Sequence, residues 1–114
     1  MFGQLAQITK LLADAPRIAR EMKEMQGRLA QARFVGEAGG GQVRATVNGQ
    51  SELLGVQFEP ALVQTGDAEL LGELACAAVN AGCQMAREAM QREMQQITGE
   101  LDLGALGGML GGQP

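Results

Sequence analysis

The sequence predicts an α+β domain: a long N-terminal helix, a three-stranded antiparallel sheet and a long C-terminal helix, in α-β-α order. Three observations carry this. Only residues 34–58 alternate apolar and polar side chains with a period of two. The segments on either side repeat their apolar residues at three and four. Turn signals at Gly39-Gly40-Gly41 and Asn48-Gly49 cut the alternating block into three runs.

The first helix is expected over residues 4–33. Ile8, Leu11, Ala15, Ile18, Met22, Met25, Leu29 and Ala32 follow one another at spacings of 3-4-3-4-3-4-3, an a/d seam sustained over several heptads. A helix of that length spans about 45 Å, more than the width of a small domain, so part of it is expected to project and meet another helix. Pro16 interrupts the pattern. Proline removes a backbone donor and clashes with the preceding turn. It predicts a kink near Leu12–Pro16 or a separate short helix before it, with Asp14 capping the restart.

Three strands follow. Arg33 to Glu37 forms the first run; Val43, Ala45 and Val47 carry the second; Leu54, Val56 and Phe58 carry the third. Asn48-Gly49 is a hairpin signal, because both residues tolerate φ > 0. Glu59-Pro60 ends the third strand, since proline cannot donate to a ladder and holds its predecessor extended. A small sheet with one apolar face needs helices or a second chain to cover it.

Ala61 to Thr65 reads as a connector. Asp67 is the expected N-cap of a second long helix that runs to about Thr98, with Gly99 as its stop. Two adjacent stripes make a wide apolar face. One holds Leu71, Leu74, Ala78, Ala81 and Met85; the other Gly72, Cys76, Val79, Cys83, Ala86, Met90 and Ile97. Gly72 and Gly82 each cost roughly 1 kcal/mol in a helix, which points to a close approach of backbone or of a partner at both. Asn80, amid this surface, is expected to be a satisfied structural hydrogen-bonding group. Residues 1–99 thus read as one domain, and residues 100–114, with five glycines after Leu101, as a flexible tail.

Composition narrows the function. The 114 residues include three Phe, no Trp, no Tyr and seven Met, which suits helix contacts better than a deep core. Part of the apolar surface is therefore expected between subunits. With no His, the commonest general base, the usual catalytic triad and most zinc sites are excluded. No pair of carboxylates is set apart as acid and base. Gly39–Gly41 lacks the following Lys-Ser/Thr and helix of a phosphate loop. No enzyme activity, cofactor or metal is expected. Cys76 and Cys83, seven apart, are too distant on one helix for a disulfide and read as small buried residues in a reducing compartment. With no signal sequence in Met1–Leu12 and no membrane-spanning run, a cytoplasmic location is expected.

The net charge of −4 is unevenly placed. Residues 1–33 carry six cations against three acids; residues 34–114 carry three Arg against ten acids. A basic arm on an acidic body suits a polyanionic partner, although a solvated helix face with i,i+4 pairs such as Glu24–Arg28 has the same composition.

Several stretches together resemble the YbaB/EbfC family of bacterial nucleoid-associated proteins. The most specific are Val35-Gly36-Glu37-Ala38-Gly39-Gly40-Gly41-Gln42-Val43 and Val47-Asn48-Gly49. Met1-Phe2-Gly3, the Met/Gln-rich first helix, Glu59-Pro60-Ala61-Leu62 and Leu74-Ala75-Cys76-Ala77-Ala78-Val79-Asn80-Ala81 also fit. The resemblance implies a homodimer with projecting helical arms that binds double-stranded DNA with weak sequence preference and serves nucleoid organisation or gene regulation, without catalysis. On that reading Arg17, Arg20, Lys23 and Arg28 of the first helix neutralise phosphates, with Lys10 and Arg33 behind them and Arg87 and Arg92 of the second helix in support. The alternative is a helical protein-interaction scaffold, in which the Met-rich seam takes a partner helix and DNA binding is incidental.

Overall fold

A computed structural model describes residues 2–99. The elements are α1 (Phe2–Gln31), β1 (Arg33–Ala38), β2 (Val43–Asn48), β3 (Leu53–Phe58), α2 (Pro60–Val63) and α3 (Ala68–Thr98). The α-β-α order, the antiparallel meander β1-β2-β3 and both long helices match the sequence reading. The tail assigned to 100–114 lies outside the described residues. The described residues divide into two compact units, residues 26–91 and a second one made of residues 2–25 with residues 92–99.

In the unit of residues 26–91, β2 is the central strand. Its Val43, Ala45 and Val47 are buried, while Arg44 between them is exposed. This is the period-two pattern of a sheet with one covered face. Val43, Ala45, Leu62 and Ala78 form the core, with Ala38, Val56, Leu70, Leu71, Leu74 and Val79 packed against it. The β3 side is less covered: Leu53, Leu54 and Phe58 are 49, 49 and 37 % exposed. A bulge between Thr46 and Val47 sets Leu53 opposite Val47 and leaves Leu54 as the extra residue.

The closest packing is backbone on backbone. A Cβ on Gly36 of β1 would collide with the Ala78 carbonyl oxygen and the Gly82 nitrogen of α3. A Cβ on Gly82 would stand 3.4 Å from the Gly36 nitrogen and 3.4 Å from Val47 Cγ2. The expected close approach therefore holds at Gly82. No backbone of this chain approaches Gly72, which faces open space.

The hairpin after β2 exists, but not for the expected reason. Neither Asn48 nor Gly49 has a positive φ; Ser51 does, at 64°. The turn is built on the Asn48 side chain, whose Oδ1 accepts from the Gln50 and Glu52 amides at 2.9 and 3.0 Å. Gly49 is there for space. Its N–H donates to the Leu29 carbonyl of α1 at 2.7 Å, and a Cβ would lie 2.6 Å from that oxygen.

Other local expectations divide. Glu59 is extended ahead of Pro60, which opens the short helix α2 inside the expected connector. Asp67 Oδ1 caps α3 by accepting from the Leu70 amide at 3.0 Å, and the Gly99 amide closes the helix on the Gln95 carbonyl at 2.8 Å. Cys76 is exposed and Cys83 half-buried, both as free thiols, and Asn80 is exposed. The face opposite the buried Ala78 and Gly82 carries Cys76 and Asn80, so neither is the enclosed group the stripes implied.

In the other unit, α1 runs through Pro16 as one helix, with no separate N-terminal piece. Pro16 and Leu12 are both exposed, so water can reach the Leu12 carbonyl that proline leaves without a donor. Asp14 caps no restart; it lies 3.7 Å from Arg17. Ile97 of α3 is buried here.

Gly36→Ala should lower unfolding free energy by about 2–4 kcal/mol, because two backbones must separate. Gly72→Ala should raise it by about 0.5–1 kcal/mol through helix propensity. Urea denaturation of the two variants compares them directly. Asn48→Ala should cost about 1–2 kcal/mol in the same assay, since it removes the acceptor of two turn amides.

Candidate nucleic-acid interface

The unit that holds residues 2–25 and the end of α3 is where the positive charge collects. Its described residues include Lys10, Arg17, Arg20, Lys23 and Arg92 against Asp14, Glu21, Glu24 and Glu93. The unit of residues 26–91 has four Arg against seven acids. The excess of acid thus lies in the sheet-bearing unit, and the slight excess of cations in the helical one.

Along α1 the 3.6-residue period decides where each cation points. Lys10, Arg20 and Lys23 are exposed, and Arg20 falls roughly opposite the seam of Leu11, Ile18, Met22 and Met25. That seam is half-buried at Leu11, Ile18 and Met22 and closed at Met25, which is 1 % exposed. Among the described residues, Lys10, Arg20, Lys23 and Arg92 form no ion pair.

Arg17 differs from the other members of its group. Its guanidinium donates to Glu21 Oε1 at 3.2 Å and lies 3.7 Å from Asp14, with the side chain one-third exposed. The sequence reading groups it with Arg20 and Lys23 as a phosphate contact, but its charge is already shared with two carboxylates. A phosphate must compete with them. Arg17 has acids at both i−3 and i+4, whereas Arg20 has Glu24 at i+4 and does not pair with it, so spacing permitted the Arg17 pairs without singling them out.

In the unit of residues 26–91, Arg28 is exposed in the last turn of α1 and engaged with other groups. Arg33 folds back on the helix end, donating to the carbonyls of Ala30 and Ala32 at 3.1 and 3.0 Å. It serves the C-terminus of α1, whose last carbonyls lack helical donors. Arg87 is exposed and donates to Gln84 Oε1 at 2.8 Å. Arg44, which the sequence reading did not select, is an exposed cation of the sheet, 3.3 Å from Glu37 on the neighbouring strand.

The arrangement offers exposed, solvated cations on a helix surface, groups able to neutralise phosphates. No group of three or more His, Cys, Asp or Glu among the described residues is placed to hold a metal ion, and none of the described helices is long and apolar enough to cross a membrane.

Comparison with known proteins agrees with this chemistry. Residues 3–101 match the model of the YbaB/EbfC DNA-binding family. A nucleoid-associated protein of Desulfotalea psychrophila is 40 % identical over 96 residues, covering 84 % of this chain and 91 % of its own. A nucleoid-associated protein of Clostridium novyi is 36 % identical over 96 residues, 84 % of each chain. Among solved structures, an uncharacterised protein of Helicobacter pylori has the same fold, with a TM-score of 0.66 at 22 % identity, over 81 % of this chain and 94 % of that one. The matched span runs from the first turn of α1 past the end of α3, and so takes in all three strands and all eight cations selected from the sequence: the chain belongs to the YbaB/EbfC DNA-binding family.

Proposed function

We propose that this protein binds duplex DNA as a homodimer, through phosphate-backbone contacts with weak sequence preference, and contributes to nucleoid organisation or gene regulation. Membership of a DNA-binding family supports DNA as the partner. The observation that carries the backbone reading is the set of exposed, unpaired cations Lys10, Arg20 and Lys23 on α1. Flexible ammonium and guanidinium groups on a solvated helix release counterions from a polyanion. The relatives named nucleoid-associated proteins support a place on the nucleoid. The reading assigns the protein no catalytic step.

The dimer is supported by β3. It is an edge strand whose Leu53, Leu54 and Phe58 stay exposed in a single chain, with Val63 of α2 exposed nearby in sequence. A second copy that covers this strand would double the positive surface offered to one duplex and give the acidic chain a net attraction to it. The scaffold alternative retains one supporting feature, the half-buried seam at Leu11, Ile18 and Met22, which has room for an apolar partner helix. Salt dependence separates the two readings, because phosphate contacts weaken steeply with salt and an apolar seam does not.

Titration of a labelled mixed-sequence duplex at several salt concentrations tests the first reading. The wild type should bind with an affinity that falls steeply with salt. Lys10→Ala/Arg20→Ala/Lys23→Ala should bind at least tenfold more weakly, with a salt slope shallower by about 0.9 for each phosphate that is no longer neutralised. Arg17→Ala alone should change affinity by less than about threefold, since its charge is shared with two carboxylates. Binding that ignores salt and survives the triple variant would overturn the backbone reading. For the dimer, light scattering should give two copies for the wild type and one for Leu53→Glu/Phe58→Glu, because the charges would be buried in the seam.

A further inference from the structure

Leu5, Ile8 and Leu12 are 60, 36 and 70 % exposed. At i, i+3 and i+7 they form one stripe on α1, rotated roughly 90° from the seam of Leu11, Ile18, Met22 and Met25. The seam therefore does not account for Leu5 and Leu12. Exposed Ala15 and Ala19 continue the same side toward the middle of the helix. Within this unit α3 supplies only its last turns, from Arg92 to Thr98. That is about 10 Å of helix against roughly 36 Å of α1, too little to cover a second stripe.

We propose that this stripe is a contact between copies of the chain, in which the N-terminal part of α1 packs on the same segment of another copy. It uses residues independent of β3, and it rests on the homodimer reading only for the number of copies already joined. The charge pattern favours a like partner. From Gly3 to Ala13 the one charged residue is Lys10, so two such segments meet with little repulsion and almost no charge to desolvate. Two copies of a single stripe related by a two-fold axis are self-complementary. The helix is already formed, so docking orders only side chains. The glycine-rich chain after Gly99 would lose far more conformational freedom in the same place.

Size sets the strength of the contact. Six large side chains, three from each copy, enclose on the order of 600 Å², well below the ~1,200–2,000 Å² of a stable complex. The contact is therefore weak in free solution and fills when copies are concentrated, as on one stretch of duplex or on two neighbouring ones. It would turn separate DNA-bound dimers into clusters or bridges.

Sedimentation equilibrium of the full chain without DNA, from micromolar to millimolar concentration, reads the contact directly. The wild-type mass should rise about twofold above its low-concentration value. Leu5→Ser/Leu12→Ser should hold the low-concentration mass throughout, with unchanged helical circular dichroism, and Leu5→Met/Leu12→Met should restore the rise. No rise, or the same rise in the serine variant, would overturn the proposal and leave the stripe bare or covered by the chain's own C-terminal segment. A serine variant that lowers the low-concentration mass itself would also overturn it, by placing the stripe in the basal seam. A low-concentration mass of one copy would sink the homodimer reading separately, while the serine variant still decides the α1 contact.

Discussion

The contact between β1 and α3 at Gly36, Ala78 and Gly82 is the constraint on which the sheet-bearing unit depends. Two glycines and an alanine remove every side chain that would hold strand and helix apart. Only then can Val43, Ala45 and Val47 of the central strand be sealed by a helix whose own buried residues are as small as Ala78 and Ala86. A core with so few large groups gains little from bulk and depends on close fit. The Gly49–Leu29 contact applies the same rule at the other end of β2, where the last turn of α1 meets the hairpin through main-chain atoms.

The charge distribution follows from this division of labour. A thin sheet unit held by backbone contact leaves much of its surface polar and carries most of the acids. Most of the cations sit on α1, where an acid four residues away does not by itself engage them: Lys10 and Arg20 have Asp14 and Glu24 at that spacing and stay unpaired. Arg17 is held by two carboxylates, while Arg20, three residues on, meets none. A family known for binding DNA can therefore keep a negative net charge, provided that the local field of one helix face is what the phosphates meet.

What the sequence made legible was local. Period and alternation located the long helices and the three strands, Asp67 marked the α3 cap, and Pro60 held Glu59 extended. What it hid was mostly long-range. That Gly49 makes room for Leu29, or Gly36 for Gly82, depends on partners 20 to 46 residues away. Nothing in a dipeptide such as Asn48-Gly49 reveals that Ser51 takes the left-handed φ. Pro16 does not split α1, because the cost of a missing hydrogen bond depends on exposure, and at Leu12 water can replace the donor. For the eight candidate cations, residue type and position were readable, but pairing was not: Arg17 and Arg20 each have an acid at i+4, and only Arg17 engages it. Nor was the capping role of Arg33, because it required knowing that α1 ends at Gln31.

The two edges of the sheet are not equivalent. The β1 edge presents Arg33 and Glu37, charges that discourage another strand from adding on. The β3 edge reads LLGVQF, six residues without a charge or a proline. In a single chain this apolar, strand-forming hexapeptide is thus open to any sticky neighbour, and correct folding competes with aggregation. Gly55 lies within that hexapeptide and faces empty space, so packing inside the chain does not demand it. Its value is to weaken the run as a template for stacked fibrils, a brake that a tidier side chain at the same place would release.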